Sequence, residues 1–157
     1  MKEFMLRAIY VEMLGHDASF AHIHAVNATH HTKLISKRTA YLACTLLLPN
    51  NSELLFMLIA ILQRDLASTN DREVAAALIT IAKIISPDLI HALSESIVGL
   101  LTHQSETVRK KAIMVLHKFV KLVPSCVTQY NEQFRKALCD PDPSVMGASL
   151  NFFFDML

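Results

Sequence analysis

The chain has 157 residues, of which 52% are apolar and 18% charged, with a formal net charge of +1. So much apolar surface with so little charge excludes a disordered polypeptide, and the length suits one compact domain that buries roughly 68–70% of its unfolded surface. Only three residues are Gly, which leaves little room for tight hairpin turns, argues against an all-β fold and predicts an all-α one.

Nine helices are predicted, at 2–14, 18–31, 33–48, 51–67, 71–85, 87–102, 106–123, 125–139 and 143–157. The first carries Lys2, Glu3, Arg7 and Glu12, which interrupt the apolar run a signal peptide needs. It stops at Gly15-His16-Asp17. The second contains His22, His24, His30 and His31. Helical zinc ligands converge at i, i+3 or i, i+4. His22 and His24 stand about 200° apart, His30 and His31 are adjacent, and His24 and His31 are two turns apart, so no metal site is expected. The third and fourth helices hold the apolar runs Ala40–Leu48 and Leu54–Leu62, nine residues each. That is half of the roughly 18 residues that span a bilayer.

Asn50 with Glu53, and Asn70 with Glu73, have capping-box spacing at the starts of the fourth and fifth helices. Asp65, Asp71 and Glu73 are accounted for as caps and helix-end charges. Ser86-Pro87 and Asp142-Pro143 set an oxygen cap before a proline at the first helical position of the sixth and ninth helices. Cys44, Cys126 and Cys139 are odd in number, widely spaced and embedded in apolar stretches. Buried thiols in a reducing, cytosolic compartment are expected. Gly-x-Ser-x-Gly, Gly-x-x-x-x-Gly-Lys, Cys-x-x-Cys and His-Glu-x-x-His are all absent, so no active site and no cofactor are expected. A pI near 7.8 gives no general bias toward nucleic acid or membrane, and no nucleic-acid partner is expected.

Self-similarity decides the architecture. Val108-Arg-Lys-Lys-Ala112-Ile113 matches Phe4-Met-Leu-Arg-Ala8-Ile9, and Thr39–Ala43, Val74–Leu78 and Val145–Ser149 take the same place. The anchors Phe4, Thr39, Val74, Val108 and Val145 recur at a period of about 35 with one helix between each consecutive pair, the signature of stacked helical hairpins. The fold class predicted is an all-α α-solenoid, a HEAT/armadillo-like superhelix of about nine helices. A small residue four positions after each anchor, with Leu78 as the exception, would let paired helices approach closely. Both ends read as open, since the chain begins on a repeat's second helix and closes on Phe152-Phe153-Phe154. It is therefore expected to be a slice of something longer or to bury its ends against a partner.

The most distinctive local feature is basic. In the seventh helix Val108, Ala112, Val115, Phe119 and Leu122 form one stripe, while Lys110, Lys111, Lys118 and Lys121 fall within an arc of about 100° on the other side. This face is a candidate membrane or partner contact, weighed against an ordinary solvated face.

Several stretches carry a family resemblance. They are Tyr10–Phe20 with its Glu12-Met-Leu-Gly-His-Asp17 core, Ile23–Val26, Lys37–Leu42, Val108–Ala112, Phe134–Asp140 and Val145-Met-Gly-Ala148 after Asp-Pro. Together they resemble the trunk of adaptin large subunits, most of all the epsilon type of the fourth adaptor protein complex. The resemblance covers nearly the whole chain and an early part of the family's trunk, so residues 1–157 are expected to form a single trunk segment. It implies a non-enzymatic scaffold in a heterotetrameric vesicle adaptor, with sigma, beta and medium subunits and an Arf-type GTPase as partners. It also implies peripheral association with trans-Golgi network and coated-vesicle membranes from the cytoplasm. The alternative is a stand-alone α-solenoid that binds proteins outside a coat. Two positions depart from the family pattern, because Ala21 and Ala40 stand where adaptins usually keep Gly. If those glycines permit close packing, each added methyl costs about 1–3 kcal/mol. Lys2 and Arg7 lie where alpha adaptin has a phosphoinositide cluster, but with Glu3 and Phe4 between them that cluster is mostly gone, and a mixed-charge outer face is expected.

Overall fold

The computed structural model describes residues 1–49, 53–125 and 130–155. Helices are α1 (Lys2–Met13), α2 (His22–Ala28), α3 (Leu34–Leu47), α4 (Leu54–Leu66), α5 (Asp71–Ile84), α6 (Pro87–Gly99), α7 (Glu106–Leu122), α8 (Asn131–Leu138) and α9 (Pro143–Phe154), with no strand among the described residues. The chain divides into two compact units, Met1–Ala67 and Ser68–Leu157.

Within each unit the helices pack on their near neighbours in sequence. In the first, α1 lies on α3 and α2 on both α3 and α4; in the second, α7 lies on α5, α6 and α9, and α8 on α9. Contact with the next helix and the next but one is what a stack of hairpins produces, and the fold is the predicted all-α solenoid type. The repeat anchors fall in α1, α3, α5, α7 and α9. Four positions on, Ala8, Ala43, Leu78, Ala112 and Ser149 are all buried, none more than 2% exposed. The periodic position is thus the packing position of every odd-numbered helix, and Leu78 fills it with a larger side chain. Ser149 satisfies its buried hydroxyl by donating toward Val145 O (3.0 Å) and Ala137 O (3.1 Å), which ties α9 to α8.

Helix limits follow local chemistry. Gly15 adopts φ +85°, the one left-handed residue among those described. It closes α1 in a Schellman motif, with Gly15 N–H donating to Glu12 O and His16 N–H to Val11 O. Asn70 caps α5 by accepting from Arg72 N–H (3.1 Å). Its own N–H donates to Ser68 Oγ (3.2 Å), whose hydroxyl donates to Glu73 (2.8 Å), so Ser68 joins the predicted capping pair. Asp142 caps α9 through Ser144 and Val145 N–H. Ser86 makes no side-chain cap, and the start of α6 rests on the fixed φ of Pro87. Asn50 lies outside the described residues.

Several limits differ from the sequence reading. The second predicted helix is shorter, because Asp17 accepts from Ser19 N–H and Glu12 from Ala18 N–H, and the first turn is a 3-10 segment, Ser19–Ala21. At the other end the Thr29 hydroxyl donates to Val26 O (2.6 Å) and the chain leaves the helix after Ala28. The sixth helix tightens after Gly99 into a 3-10 turn at Leu100–Thr102, a common way to end. The first residues predicted for the fourth and eighth helices, 51–52 and 126–129, and 156–157 of the ninth, lie outside the described residues.

Ala112 is fully buried in α7, the helix with neighbours on three sides. Ala112→Leu is expected to lower unfolding stability by about 1–3 kcal/mol through overpacking, read as a drop in the urea midpoint. An unchanged midpoint would show that this position is not a close contact.

Candidate functional site

On α7 the predicted apolar stripe is the buried one. Val108, Ala112, Val115 and Phe119 are at most 2% exposed, and Leu122 emerges at the helix end. The four lysines of the opposite arc divide into two pairs. Lys118 turns inward and its ammonium donates to Ala82 O of α5. Lys121 binds Asp155, just beyond α9, at 2.6 Å, and His117 meets the same carboxylate oxygen at 2.8 Å. Hydrogen bonds from Lys121 and then His117 hold Asp155 below its ordinary carboxylate pKa. Lys110 is exposed and Lys111 half-buried, and neither forms an ion pair among the described residues.

A groove of ≈ 510 Å³ runs between α7 and α9, with Lys110, Met114 and His117 on one wall and Gly147, Asn151 and Phe154 on the other. The helices forming it are positioned by a clamp at their N-terminal ends. Arg109 holds Asp140 through two parallel hydrogen bonds (Nε to Oδ2 2.7 Å, Nη2 to Oδ1 2.9 Å) and uses Nη1 on His103 O (2.8 Å) and Gln104 O (2.9 Å). Asp140 also accepts from Asp142 N–H (2.9 Å). One guanidinium therefore joins the loop that precedes α7 to the loop that precedes α9. The Arg109 hydrogen bonds push Asp140 below the usual carboxylate range, as expected for a charge-assisted fork.

The first unit has its own buried charges. Lys37 of α3 is 5% exposed and Asp65 of α4 is 3% exposed. They form an ion pair at 2.7 Å, and the hydroxyl of buried Tyr41 donates to the same carboxylate oxygen. Arg64, whose side chain is half in solvent, reaches the other oxygen at 3.3 Å. Burial, followed by the bond to Asp65, drives the Tyr41 hydroxyl far above its ordinary pKa. Asp65 is therefore not a simple helix-end charge, as its place near the end of α4 suggested, but the centre of a buried network. Asp71 and Glu73 do sit in the first turn of α5, and Asp71 lies 3.9 Å from His103.

Cys44 is buried as expected, and burial pushes its thiol up to about 12, which holds it as the unreactive thiol at neutral pH. Cys139 departs from the expectation and is exposed, because α8 ends one residue earlier, at Leu138. Cys126 lies outside the described residues. Among the described residues no group of three His, Cys, Asp or Glu is arranged to hold a metal ion, and no helix is long and apolar enough to cross a membrane. His24 packs edge-on against Phe4 (5.6 Å), which also meets Phe20 (6.2 Å). Lys2 and Arg7 are exposed on α1, with Arg7 4.0 Å from Glu3. The α7 lysines were readable from helical spacing, whereas the Arg109 clamp and the Lys37 network join residues 24 to 31 positions apart, which periodicity does not detect.

Comparisons with known proteins place these features in context. The adaptin N terminal region family matches residues 1–156. The AP-4 complex subunit epsilon of Arabidopsis thaliana is 49% identical over 157 residues, covering all of this chain and 17% of that protein. The AP-4 complex subunit epsilon-1 of Homo sapiens is 44% identical over 157 residues, again all of this chain and 14% of the relative. A homology model of the full-length AP-3 complex in an intermediate open conformation contains a chain that superposes with a TM-score of 0.84 at 27% identity, over 96% of this chain and 27% of that one. The chain thus spans about a sixth of the length of these epsilon relatives.

Two outcomes test the buried charges. Lys37→Met leaves Asp65 with only the half-exposed Arg64 beside it and is expected to cost up to about 3–5 kcal/mol, while the double change Lys37→Met with Asp65→Leu recovers most of that in urea unfolding. Equal losses in the single and double variants would count against a coupled pair. Asp140 has a folded pKa below its unfolded one, so its contribution is complete above about pH 4 and disappears as pH falls through the folded value. Asp140→Asn is therefore expected to be less stable than the parent by about 1.5–3 kcal/mol at pH 7, with the gap closing as pH falls below the ordinary aspartate range. A pH-independent gap would overturn the ionic reading.

Proposed function

The chain belongs to the adaptin N-terminal family, and from that premise we propose that it works as a non-enzymatic scaffold segment of a vesicle-coat adaptor complex. The observation that carries the reading is the family match over residues 1–156 together with 42–49% identity to epsilon subunits along essentially the whole chain. Residues 1–157 act in this reading as one trunk segment. Its partners are the sigma, beta and medium subunits, with an Arf-type GTPase recruiting the complex to trans-Golgi network and coated-vesicle membranes from the cytoplasm. The mechanism is mechanical: stacked helices offer broad surfaces of modest strength, and affinity accumulates over several subunits held at once. The face bearing Lys110, Lys111, Lys118 and Lys121 is one such contact, with Lys110 and Lys111 as its outward cations and Lys118 and Lys121 bracing α7 against α5 and the end of α9.

Exposed apolar side chains support an assembled rather than solitary existence. Met13, Phe20, Ile23 and Ile35 in the first unit, and Met114, Leu150 and Phe154 in the second, are each more than half exposed, more than scattered surface residues of a monomer require. Co-expression of the tagged chain with a sigma and a beta subunit is expected to return all three in one size-exclusion peak. Recovery of neither subunit, with the chain alone running as a monomer at every concentration, would sink this reading in favour of a stand-alone module.

A further inference from the structure

We infer that Ser68 is a phosphorylation site. An acidophilic serine/threonine kinase transfers the γ-phosphoryl group of a nucleoside triphosphate to its hydroxyl, and the added charge opens the first turn of α5. The site lies in the link between α4 and α5 and is independent of the α7 contact and of the scaffold reading.

The sequence singles out this hydroxyl. Acidophilic kinases select a Ser or Thr by a carboxylate three residues beyond it, and that charge pattern is how they reject other hydroxyls. Ser68 has Asp71 at that place, and no other Ser or Thr in the chain has Asp or Glu three residues on. Its neighbour Thr69 has Arg72 there. Helix capping accounts for Glu73, since Ser68 donates to it (2.8 Å) and accepts from Asn70 N–H (3.2 Å). It does not account for Asp71, whose side chain is 54% exposed and lies 3.9 Å from His103. The backbone supplies access. α4 ends at Leu66 and α5 begins at Asp71, so half-buried Ser68 sits in a short non-helical link beside exposed Ala67, Thr69 and Asn70. Small, polar, exposed links are the segments an enzyme can draw into its cleft.

In the transfer, Ser68 Oγ attacks the γ-phosphorus and its proton passes to the kinase's catalytic base. The bond from that phosphorus to the β-bridging oxygen breaks, and the nucleoside diphosphate leaves. The product has no hydroxyl hydrogen, so the bond to Glu73 is lost. In its place stands a group of about −1.5 to −2 charge, against a carboxylate that had been 2.8 Å from the same oxygen. Asp71 adds a second like charge in the first turn of α5. Exposed Arg72 and the amide dipoles of the helix start pull the other way. The Glu73 carboxylate is the nearer charge, and repulsion falls with distance, so the first turn opens. Ser68 is also the first residue of the second compact unit, which puts the new charge where the chain passes from one unit to the next.

The test incubates the folded 157-residue chain with ATP and a purified acidophilic serine/threonine kinase, and locates the phosphate by fragment mass spectrometry. Phosphate is expected on Ser68, and none on the Ser68→Ala chain. Incorporation is expected to be about tenfold slower in Asp71→Asn. Hydrogen exchange of the first-turn amides of α5 is expected to quicken about tenfold on phosphorylation, more than Ser68→Ala alone produces. Glu73→Gln is expected to remove most of that difference, because its amide donates to the phosphate. Phosphate on Thr69 in place of Ser68, or an unchanged rate in Asp71→Asn, would overturn the assignment. So would a peptide spanning Gln63–Val74 that is modified while the folded chain is not, since the fold then hides the hydroxyl. Phosphate on Ser68 without faster exchange would overturn the opening of α5 and leave the modification standing.

Discussion

The second unit depends on where one guanidinium is held. Arg109 sits at the start of α7 and uses three nitrogens on four acceptors, two on Asp140 and two backbone carbonyls at His103 and Gln104. The carbonyls belong to the loop entering α7, and Asp140 belongs to the loop entering α9, where it also takes Asp142 N–H. Asp142 in turn caps α9. The positions of two helix starts are thus coupled through one planar group, and the groove between those helices inherits its geometry from that coupling. Lysine would not substitute, since a point charge lacks the fork that reads a carboxylate and two carbonyls together. The first unit reaches a similar result by deeper burial. Lys37 and Asp65 pin α3 to α4, with Tyr41 completing the carboxylate's bonds. Such a network costs desolvation, and its return is a defined register between helices whose apolar faces would pack in several ways.

Periodicity carried the architecture into the sequence because every odd helix must bury the same position. A residue four places beyond each anchor is enclosed whatever its identity, so Ala8, Ala43, Ala112 and Ser149 are small and Leu78 is the tolerated exception. Helix starts with a proline or a short oxygen side chain were equally legible, as Asp142 and Asn70 demonstrate. The failures have physical causes too. Lys37 carries no local signal of its burial, because what it pairs with is Asp65 on the next helix, a partner that no local rule names. Asp65 looks like a helix-end charge because it is one residue from the end of α4, and only packing turns it inward. The shortening of α2 came from Asp17, Glu12 and Thr29, whose side chains bond to nearby backbone and compete with the helix ladder.

The candidate site was half legible in the same sense. Helical spacing placed all four lysines on one arc of α7, and that arc is real, but spacing treats the four as equivalent. Tertiary contacts do not: a carbonyl of α5 takes Lys118 and a carboxylate beyond α9 takes Lys121. Long lysine stems make this possible, since the ammonium can travel several ångströms from a backbone position that itself faces solvent. The cations left over are therefore fixed by where α5 and α9 end, information that resides in the stack and not in α7.

Ala21 and Ala40 show why resemblance alone does not settle packing. Both are fully enclosed, so a methyl that replaces a hydrogen there has no solvent to move into, and close contacts would oppose it by about 1–3 kcal/mol. Against this, alanine in a helix interior is favoured over glycine by roughly 0.5–1 kcal/mol. That advantage applies in full to Ala40, in the middle of α3, and less to Ala21, which ends a short 3-10 turn. The two effects are of comparable size at Ala40 and unequal at Ala21. The balance for a glycine-to-alanine exchange is therefore near even in the middle of α3 and less favourable at the junction before α2.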